Sequence, residues 1–258
     1  MTPGTRVDYD QIAPTYDRRF KDGGMHDMAI ALLALTRELG AERILEVGCG
    51  TGRWLADLQT ITPELYGLDL SGGMLAQAQQ RDKRLRLTRG RAGRLPFPAA
   101  SFDLVYCVHA IHHFDGQRAF VFEARRLLRP GGVLAVVGMD PRGRRDHWYV
   151  YDYFERVYET DLARFPSWGA VLDWMTAASF EQVEWKLVER IQEPKVGRAL
   201  LDDPFLAKQA SSQLALLSDE AYKAGLRRIR AAIQAAETAG ERLIFPVDIP
   251  IGILVASR

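Results

Sequence analysis

Three glycines and two acidic residues are the first candidates for chemistry in this chain. Gly48, Gly50 and Gly52 lie two positions apart. Glu46 precedes the first of them by two positions, and Asp69 follows it by 21. A glycine-rich turn lets a ligand approach the backbone, and the helix start behind it presents free N–H groups. Because an acid at a strand end can accept hydrogen bonds from both hydroxyls of a ribose, the spacing indicates a nucleotide site.

The flanking sequence predicts the elements that hold these residues. The apolar run 44–47 is typical of a short buried strand, and residues 53–58 resume with helical spacing. Ser71 suits the N-cap of a helix that follows a second strand. Such alternation favours a parallel sheet with helices on both faces, whose ligands lie beyond the carboxyl ends of the strands. The strands predicted in this part of the chain span 44–47, 65–69, 85–88, 101–108 and 129–137.

The glycine spacing distinguishes between two classes of nucleotide site. The dinucleotide fingerprint needs a third glycine at the position of Arg53, so NAD is disfavoured. The stretches ILEVGCGTG, GLDLSGGML, LPFPAASFDLVYC, HAIHHF and EARRLLRPGGVLAVV follow one another between residues 43 and 139. In order and spacing they resemble the class I S-adenosylmethionine-dependent methyltransferases. The resemblance is to the type 11 group, which includes ubiquinone- and menaquinone-biosynthesis enzymes and many small-molecule methyltransferases.

This resemblance implies an α/β fold with a doubly wound, Rossmann-like mixed sheet of seven strands in the order 3-2-1-4-5-7-6. The sixth and seventh strands are predicted at 183–190 and 252–257. We expect residues 1–24 to cover the cofactor and residues 25–140 to form the core that binds it, beginning with a helix over about 25–39. Residues 141–258 would shape the acceptor pocket. They include a helical insertion at 191–242, within which a capped amphipathic helix is predicted from 218 to 230.

The resemblance also implies S-adenosylmethionine as the cofactor and a set of residues that contact it. The glycine turn would approach its methionine and ribose parts, and Asp69 would bind the ribose diol. Glu46 either orients the turn, bonds the methionyl amine, or accepts a hydrogen bond behind the site. Met74 flanks the adenine or belongs to the core. The full predicted set is Tyr9, Tyr16, Glu46, Gly48, Cys49, Gly50, Gly52, Asp69, Leu70, Met74, Arg91, Ala92, Cys107 and Val108.

One motif departs from the family pattern. Relatives often place an acid before the alanine, where it meets the adenine amino group, whereas this chain has Arg91 before Ala92. We expect backbone groups to read the adenine instead, and the guanidinium is able to stack on the ring.

Three histidines follow the fourth predicted strand on the ligand side. An imidazole titrates near neutrality and can take a proton from an oxygen or nitrogen acceptor. His109, His112 and Tyr16 are the catalytic candidates, although the resemblance implies a structural role as the default for the histidines. Substrate contacts are predicted for His109 and for three residues of the aromatic segment that begins at residue 147. The other rings of that segment are expected to pack a helical layer onto the sheet. No carboxylate or cysteine cluster accompanies the histidines, so no metal is predicted. The three aromatic residues are Trp148, Tyr149 and Tyr153.

Composition limits the remaining classes. The chain has 258 residues, 47% hydrophobic and 26% charged, and a net charge of +1, which provides no global field for nucleic acid or an anionic membrane. Two cysteines and no apolar leader favour a soluble, cytoplasmic protein. The basic residues at 81–94 and at Arg142, Arg144 and Arg145 are typical of solvated surface, and those of the second run would also suit an anionic acceptor.

The sequence therefore predicts a methyltransferase that acts on a small or medium-sized organic acceptor and releases S-adenosylhomocysteine. One alternative keeps the reaction but changes the acceptor to tRNA or protein. Another is a non-catalytic protein that binds the cofactor as a sensor. The acceptor, the atom that is methylated and the oligomeric state are left open.

Overall fold

The computed structural model describes residues 7–20, 26–62, 64–143 and 147–258. The parallel half of its main sheet consists of five strands, most of them buried apolar runs. Each of the first two is followed by a turn and a helix, as the sequence predicts. The strands are β1 (Arg43–Val47), β2 (Glu64–Asp69), β3 (Arg86–Arg89), β4 (Phe102–Val108) and β5 (Leu128–Gly138).

The antiparallel half of the sheet comes from the second half of the chain. The central strand here, β10 (Val247–Ser257), pairs on one side with β5 and on the other with β7 (Glu181–Gln192). A strand of two residues, β6 (His147–Trp148), pairs with the start of β10. A separate two-stranded sheet joins β8 (Lys195–Val196) to β9 (Ile244–Phe245).

The fold class is confirmed, with one difference in strand count and order. Over the described residues the main sheet runs β3-β2-β1-β4-β5-β10, with β7 and β6 both paired to β10, and so has eight strands instead of seven. The additional strand is β6. Its two residues were predicted to belong to an aromatic helical segment, because a pairing this short leaves no alternating pattern in the sequence.

Helices cover both faces of the sheet. The part of the chain before the insertion contributes α1 (Tyr9–Ile12), which continues as a 3₁₀ helix (Ala13–Phe20), then α2 (His26–Glu38), α3 (Arg53–Leu58), α4 (Gly72–Arg81) and α5 (Gln117–Leu127). Next come α6 (Tyr149–Tyr153), α7 (Val157–Arg164) and α8 (Trp168–Ala177). The helix predicted from about 25 corresponds to α2, and Met25 itself lies outside the described residues.

The insertion forms a helical cap. It holds short 3₁₀ turns (Gly197–Asp202 and Pro204–Leu206), the helix α9 (Ser212–Ala215) and the helix α10 (Asp219–Ala239). As the sequence predicts, Ser218 caps α10, and its side chain accepts from the N–H of Ala221. The helix is longer than predicted and ends only at Gly240, which adopts the left-handed conformation typical of a helix end.

Alternation along the strands divides the core into two layers. Ile44 and Tyr106 pack on the face that carries α2, α3 and α10, whereas Leu45 and Cys107 pack on the face that carries α5 and α8. Successive strand residues point to opposite faces, so each central strand supplies both layers. Among the described residues, no helix is both long and apolar enough to cross a bilayer.

Gly225, inside α10, tests how tightly the cap packs on the core. A Cβ at this position would lie 2.2 Å from Cδ1 of Phe154, a ring that is 1% exposed. We expect Gly225→Ala to destabilise the protein by about 1–3 kcal/mol in urea unfolding, because overpacking outweighs the better helix propensity of alanine.

Gly169 in α8 is the matched control, because the nearest atom to a Cβ there is Ser167 Oγ at 3.8 Å. Gly169→Ala should be neutral or stabilising by up to about 1 kcal/mol. Equal effects of the two alanine substitutions would contradict the packing assigned to α10.

Candidate active site

The glycine turn between β1 and α3 approaches the segment that follows β4. All three glycines have positive φ, +75° at Gly48, +52° at Gly50 and +70° at Gly52. A Cβ on Gly48 would lie 2.6 Å from Cβ of Ala110, so a larger residue does not fit there. In contrast, a Cβ on Gly50 would have no atom within 4 Å. The first glycine therefore brings two segments together, and the middle one faces open space that a ligand can enter.

Asp69 ends β2 beside this turn. Its Oδ2 accepts from the N–H of Gly50 at 2.9 Å, and its Oδ1 accepts from the N–H of Ser71 at 2.8 Å. Burial raises the pKa of Asp69, and these two backbone hydrogen bonds oppose that rise. An ionised carboxylate has about four acceptor positions, so two remain for hydroxyl donors. The half-buried carboxylate is thus held in place while retaining the capacity to bind a diol.

Glu46 lies behind the turn. It is 1% exposed, and its Oε2 accepts from the hydroxyl of Tyr106 on β4 at 3.2 Å. Burial raises the pKa of this carboxyl well above its usual range. Its Oε1 is also buried and has no hydrogen-bond partner among the described residues, so all three sequence interpretations of Glu46 stay open.

The cysteines and valine of the predicted set are mostly core residues. Cys49 is 4% exposed, and its Sγ packs against Gly67 of β2. Val108 is 6% exposed at the end of β4. The prediction for Cys107 needs correction, since this side chain is wholly buried in the layer under α5. Strand alternation directs it away from the site, and burial raises the pKa of its thiol far above the ordinary range.

The motif with Arg91 before Ala92 offers little side-chain contact to a cofactor. The guanidinium of Arg91 pairs with Asp115 at 2.6 Å and is 65% exposed, so stacking on an adenine would require it to leave this partner. Ala92 is buried, and the carbonyl of Leu70 accepts from Arg89 Nε at 3.0 Å. The contacts predicted for Arg91, Ala92 and Leu70 remain predictions.

Side-chain hydrogen bonds attach the N-terminal segment to the core. Asp10 Oδ1 accepts from Ser71 Oγ and from the N–H of Gly73, both at 2.7 Å. These bonds lower the pKa of Asp10. Asp17 pairs with Arg81 and accepts from Thr51 Oγ1. The segment is therefore fixed on both sides of the glycine turn.

The same segment also meets the insertion. Val7, Ile12 and Ala13 form a buried apolar cluster with Met74 of α4, and Tyr9 and Tyr16 pack against this cluster. Ala215 and Leu216 join the cluster from the insertion side. The N-terminal segment and the insertion thus pack together against α4. The burial of Met74, 2% exposed, fits its core interpretation.

The imidazoles gather at the carboxyl end of β4. Tyr9 and His113 share a hydrogen bond of 2.7 Å between Oη and Nε2. His112 stacks on Phe165 with ring centroids 3.8 Å apart and an interplanar angle of 12°. His109, His112 and Phe165 line a small cavity of about 10 Å³ together with Met139 and Trp168. Two of the predicted catalytic residues, His109 and His112, are thereby brought together.

The environment of His112 keeps its imidazole neutral. Removal from water lowers its pKa well below the usual range, and the neighbouring His113, Arg164 and His109 lower it further. A neutral imidazole can accept a proton at pH 7. Among the described residues, no group of histidine, cysteine and carboxylate side chains is arranged to hold a metal ion.

The aromatic residues after β5 lie elsewhere. Tyr149 is wholly buried, with its ring 6.1 Å from that of Phe245, so the predicted substrate contact is wrong for this side chain. Trp148 is 9% exposed and packs in the same core layer, and Tyr153 packs against that layer with its ring 5.2 Å from that of Phe245. These contacts fit the interpretation of the rings as a packing layer, and the substrate contacts of Trp148 and Tyr153 stay predictions.

Several neighbours of the site carried no sequence signal. Asp10 and Phe165 act over long sequence distances, and nothing in their local context distinguishes them. In the second basic run, Arg142 pairs with Asp140 at 3.1 Å, whereas Arg144 and Arg145 lie outside the described residues.

Comparison with known proteins agrees with this geometry. A family of methyltransferase domains matches residues 45–136, which include the glycine turn, Asp69 and the three histidines. Residues 45–136 thus match a methyltransferase domain.

Two curated relatives each match about half of this chain. The phthiotriol/phenolphthiotriol dimycocerosates methyltransferase of Mycobacterium tuberculosis is 37% identical over 133 residues, 50% of this chain and 46% of that protein. The demethylmenaquinone methyltransferase of Tropheryma whipplei is 32% identical over 143 residues, 52% of this chain and 59% of that protein. The chain thus spans about half the length of the relatives it matches.

The fold extends beyond the methyltransferase domain. Phosphoethanolamine N-methyltransferase 2 of Haemonchus contortus, solved in complex with S-adenosyl-L-methionine, superposes with a TM-score of 0.60. The superposition covers 96% of this chain and 57% of that one, at 19% sequence identity. The likeness at this identity concerns the fold.

The lowered pKa of His112 gives stability a measurable pH dependence. In the unfolded chain this imidazole takes up a proton near an ordinary pKa of about 6.5, while the folded protein keeps it neutral. Unfolding therefore takes up a proton below about pH 6.5. As the pH is lowered from there, the free energy of unfolding decreases until the pKa of the folded state is reached. This one group contributes at most about 1.4 kcal/mol per pH unit.

We expect the stability difference between the wild type and His112→Gln to shrink when urea unfolding is measured at pH 5.5 instead of 7.5. His147→Gln, which removes an exposed imidazole, is the control and should follow the wild type. A difference that stays constant between the two pH values would contradict the environment described for His112.

Proposed function

We propose that the protein transfers the methyl group of S-adenosylmethionine to a small or medium-sized organic acceptor and releases S-adenosylhomocysteine. The observation that carries the proposal is that several groups share one edge of the sheet. The glycine turn, the anchored Asp69, the three imidazoles and the N-terminal tyrosines all meet where the parallel strands end. The residues assigned to the cofactor and those assigned to the acceptor thus lie at the same edge of the sheet.

The chain would hold the cofactor through backbone groups and one carboxylate. The cofactor supplies a methyl group activated by a sulfonium charge. We assign the open face of Gly50 to its close approach, and the two remaining acceptor positions of Asp69 to the ribose hydroxyls. Glu46 would support the turn from behind through Tyr106. These roles fit the donors and acceptors at the turn.

The covering segment would exclude water and orient the acceptor. Holding an acceptor in line with the methyl group accounts for much of the acceleration in such a transfer. Tyr9 and Tyr16 lie on the covering segment, and Tyr9 is bonded to His113. We infer that residues 7–20 and the insertion 191–242 close over the core from both sides, since Ala215 and Leu216 pack in the same cluster as the tyrosines.

The side chains around the histidines favour a neutral aromatic or hydroxylated acceptor. Rings and aliphatic groups surround His109 and His112, and no acidic residue lines the described cavity beside them. An ammonium acceptor would lack a counter-charge there. A neutral His112 could accept a hydrogen bond from a phenolic or enolic hydroxyl and so orient it. The acceptors named for the two curated relatives support an apolar, aromatic or hydroxylated compound for this chain as well.

Asp69→Ala tests the cofactor assignment. We expect its affinity for S-adenosylhomocysteine, measured by calorimetry, to fall at least about tenfold, since a hydrogen bond to a charged group contributes about 1.5–3 kcal/mol. Asp82→Ala, at the far end of α4, is the control and should bind like the wild type. Undiminished affinity in a folded Asp69→Ala protein would sink the ribose assignment.

Turnover tests the reaction itself. We expect S-adenosylhomocysteine to form when the protein and S-adenosylmethionine are incubated with phenols or naphthoquinols, and not with phosphoethanolamine or bulk tRNA. Mass spectrometry of both products is the readout. Tight cofactor binding without turnover of any acceptor would instead support a sensor. Methylation of tRNA with a strong salt dependence would support a nucleic-acid acceptor.

A further inference from the structure

Asp161 on α7 is a fully buried carboxylate outside the residues assigned so far. It is 0% exposed, and three side chains from three parts of the chain surround it. Arg164 pairs with Oδ1 at 2.5 Å, and Gln213 Nε2 and the hydroxyl of Tyr151 donate to Oδ2, each at 2.8 Å. Gln213 lies on α9 in the insertion and is itself 9% exposed. The carboxylate therefore joins the insertion to the segment after β5.

Arg164 continues this connection toward the histidines. One of its terminal nitrogens also donates to Ser212 Oγ at 3.3 Å, and its backbone carbonyl accepts from Gln117 at 2.8 Å. Its guanidinium carbon lies 5.5 Å from the ring centroid of Phe165. Phe165 in turn stacks on His112 at 3.8 Å. A continuous set of contacts thus leads from α9 through the ion pair and one ring to an imidazole of the site.

A buried ion pair of this kind fixes geometry more than it adds stability. Taking both charges out of water offsets most of their attraction, and well-packed apolar residues often stabilise a core as well or better. Because two further donors hold Asp161 in one orientation, Arg164 has a fixed place above Phe165. The arrangement restricts where the His112 ring can lie.

We propose that Asp161 and Gln213 are positioning residues, which transmit the placement of the insertion to His112 through Arg164 and Phe165 and so set the acceptor side of the site. The inference rests on the proposed function for its catalytic meaning, although the coupling itself exists without turnover. The insertion thereby has a specific role, which is to hold the His112 imidazole in place for a neutral acceptor.

The NMR signals of the His112 ring report on this coupling directly. Imidazole resonances are recorded on the protein bound to S-adenosylhomocysteine and assigned with His112→Gln. We expect Gln213→Leu to shift or broaden the His112 signals while the affinity for S-adenosylhomocysteine stays within about twofold. The milder Tyr151→Phe, which removes only the hydroxyl, should act in the same direction and serves if Gln213→Leu does not fold.

Arg198→Gln is the matched control. It breaks the ion pair between Arg198 and Glu237, which also lies within the insertion but has no contact with Asp161. We expect His112 signals like those of the wild type. Unchanged His112 signals in folded Gln213→Leu or Tyr151→Phe, or an equal shift in Arg198→Gln, would overturn the proposal.

Activity separates this proposal from the proposed function. With the phenol or naphthoquinol that is turned over best, Gln213→Leu should raise the acceptor KM by about 2- to 30-fold, the range over which residues that touch neither ligand change the coupling between sites, with less effect on the cofactor KM. Equal rises in both KM values would indicate a structural role only and would contradict positioning. If no acceptor is turned over, the proposed function fails while the NMR comparison still decides the coupling.

Discussion

The close approach of β1 and β4 at their carboxyl ends is the constraint on which the site depends. No side chain fits between Gly48 and Ala110, where a Cβ would come within 2.6 Å of its neighbour. The backbone of the glycine turn therefore packs directly on the start of the segment 109–113, which holds the three histidines. This contact fixes the distance between the groups that would bind a nucleotide and the imidazoles that would face an acceptor, before any loop or lid contributes.

The remainder of the chain builds outward from this contact. Asp69 is fixed by the N–H groups of Gly50 and Ser71, and Asp10 then bonds to Ser71 and Gly73 and holds the covering segment over the same edge. From the other side, the insertion meets that segment at Leu216. The residues assigned to the cofactor lie in the short turns of the parallel half. The acceptor side is instead formed by segments that are far apart in the sequence.

The sequence predicted those features that depend on residues close to one another in the chain. The strand, the glycine turn, Asp69 and the Ser71 cap depend on residues within a few positions of each other, and the structure contains all of them. The Asp10 bond spans 61 residues and the stacking of Phe165 on His112 spans 53, so no local pattern reports either. Tyr149 shows the limit most clearly. An aromatic residue after the fifth strand suits a pocket and a core equally, and only the placement of α6 against Phe245 decides for the core.

A crystal structure of the protein with S-adenosylhomocysteine tests the central claim most directly. We predict both ribose hydroxyls within hydrogen-bond distance of the Asp69 carboxylate, the backbone of Gly50 against the ligand, and the sulfur facing the segment that holds His109 and His112. A ligand bound away from Asp69, or a sulfur directed away from the histidines, would contradict it.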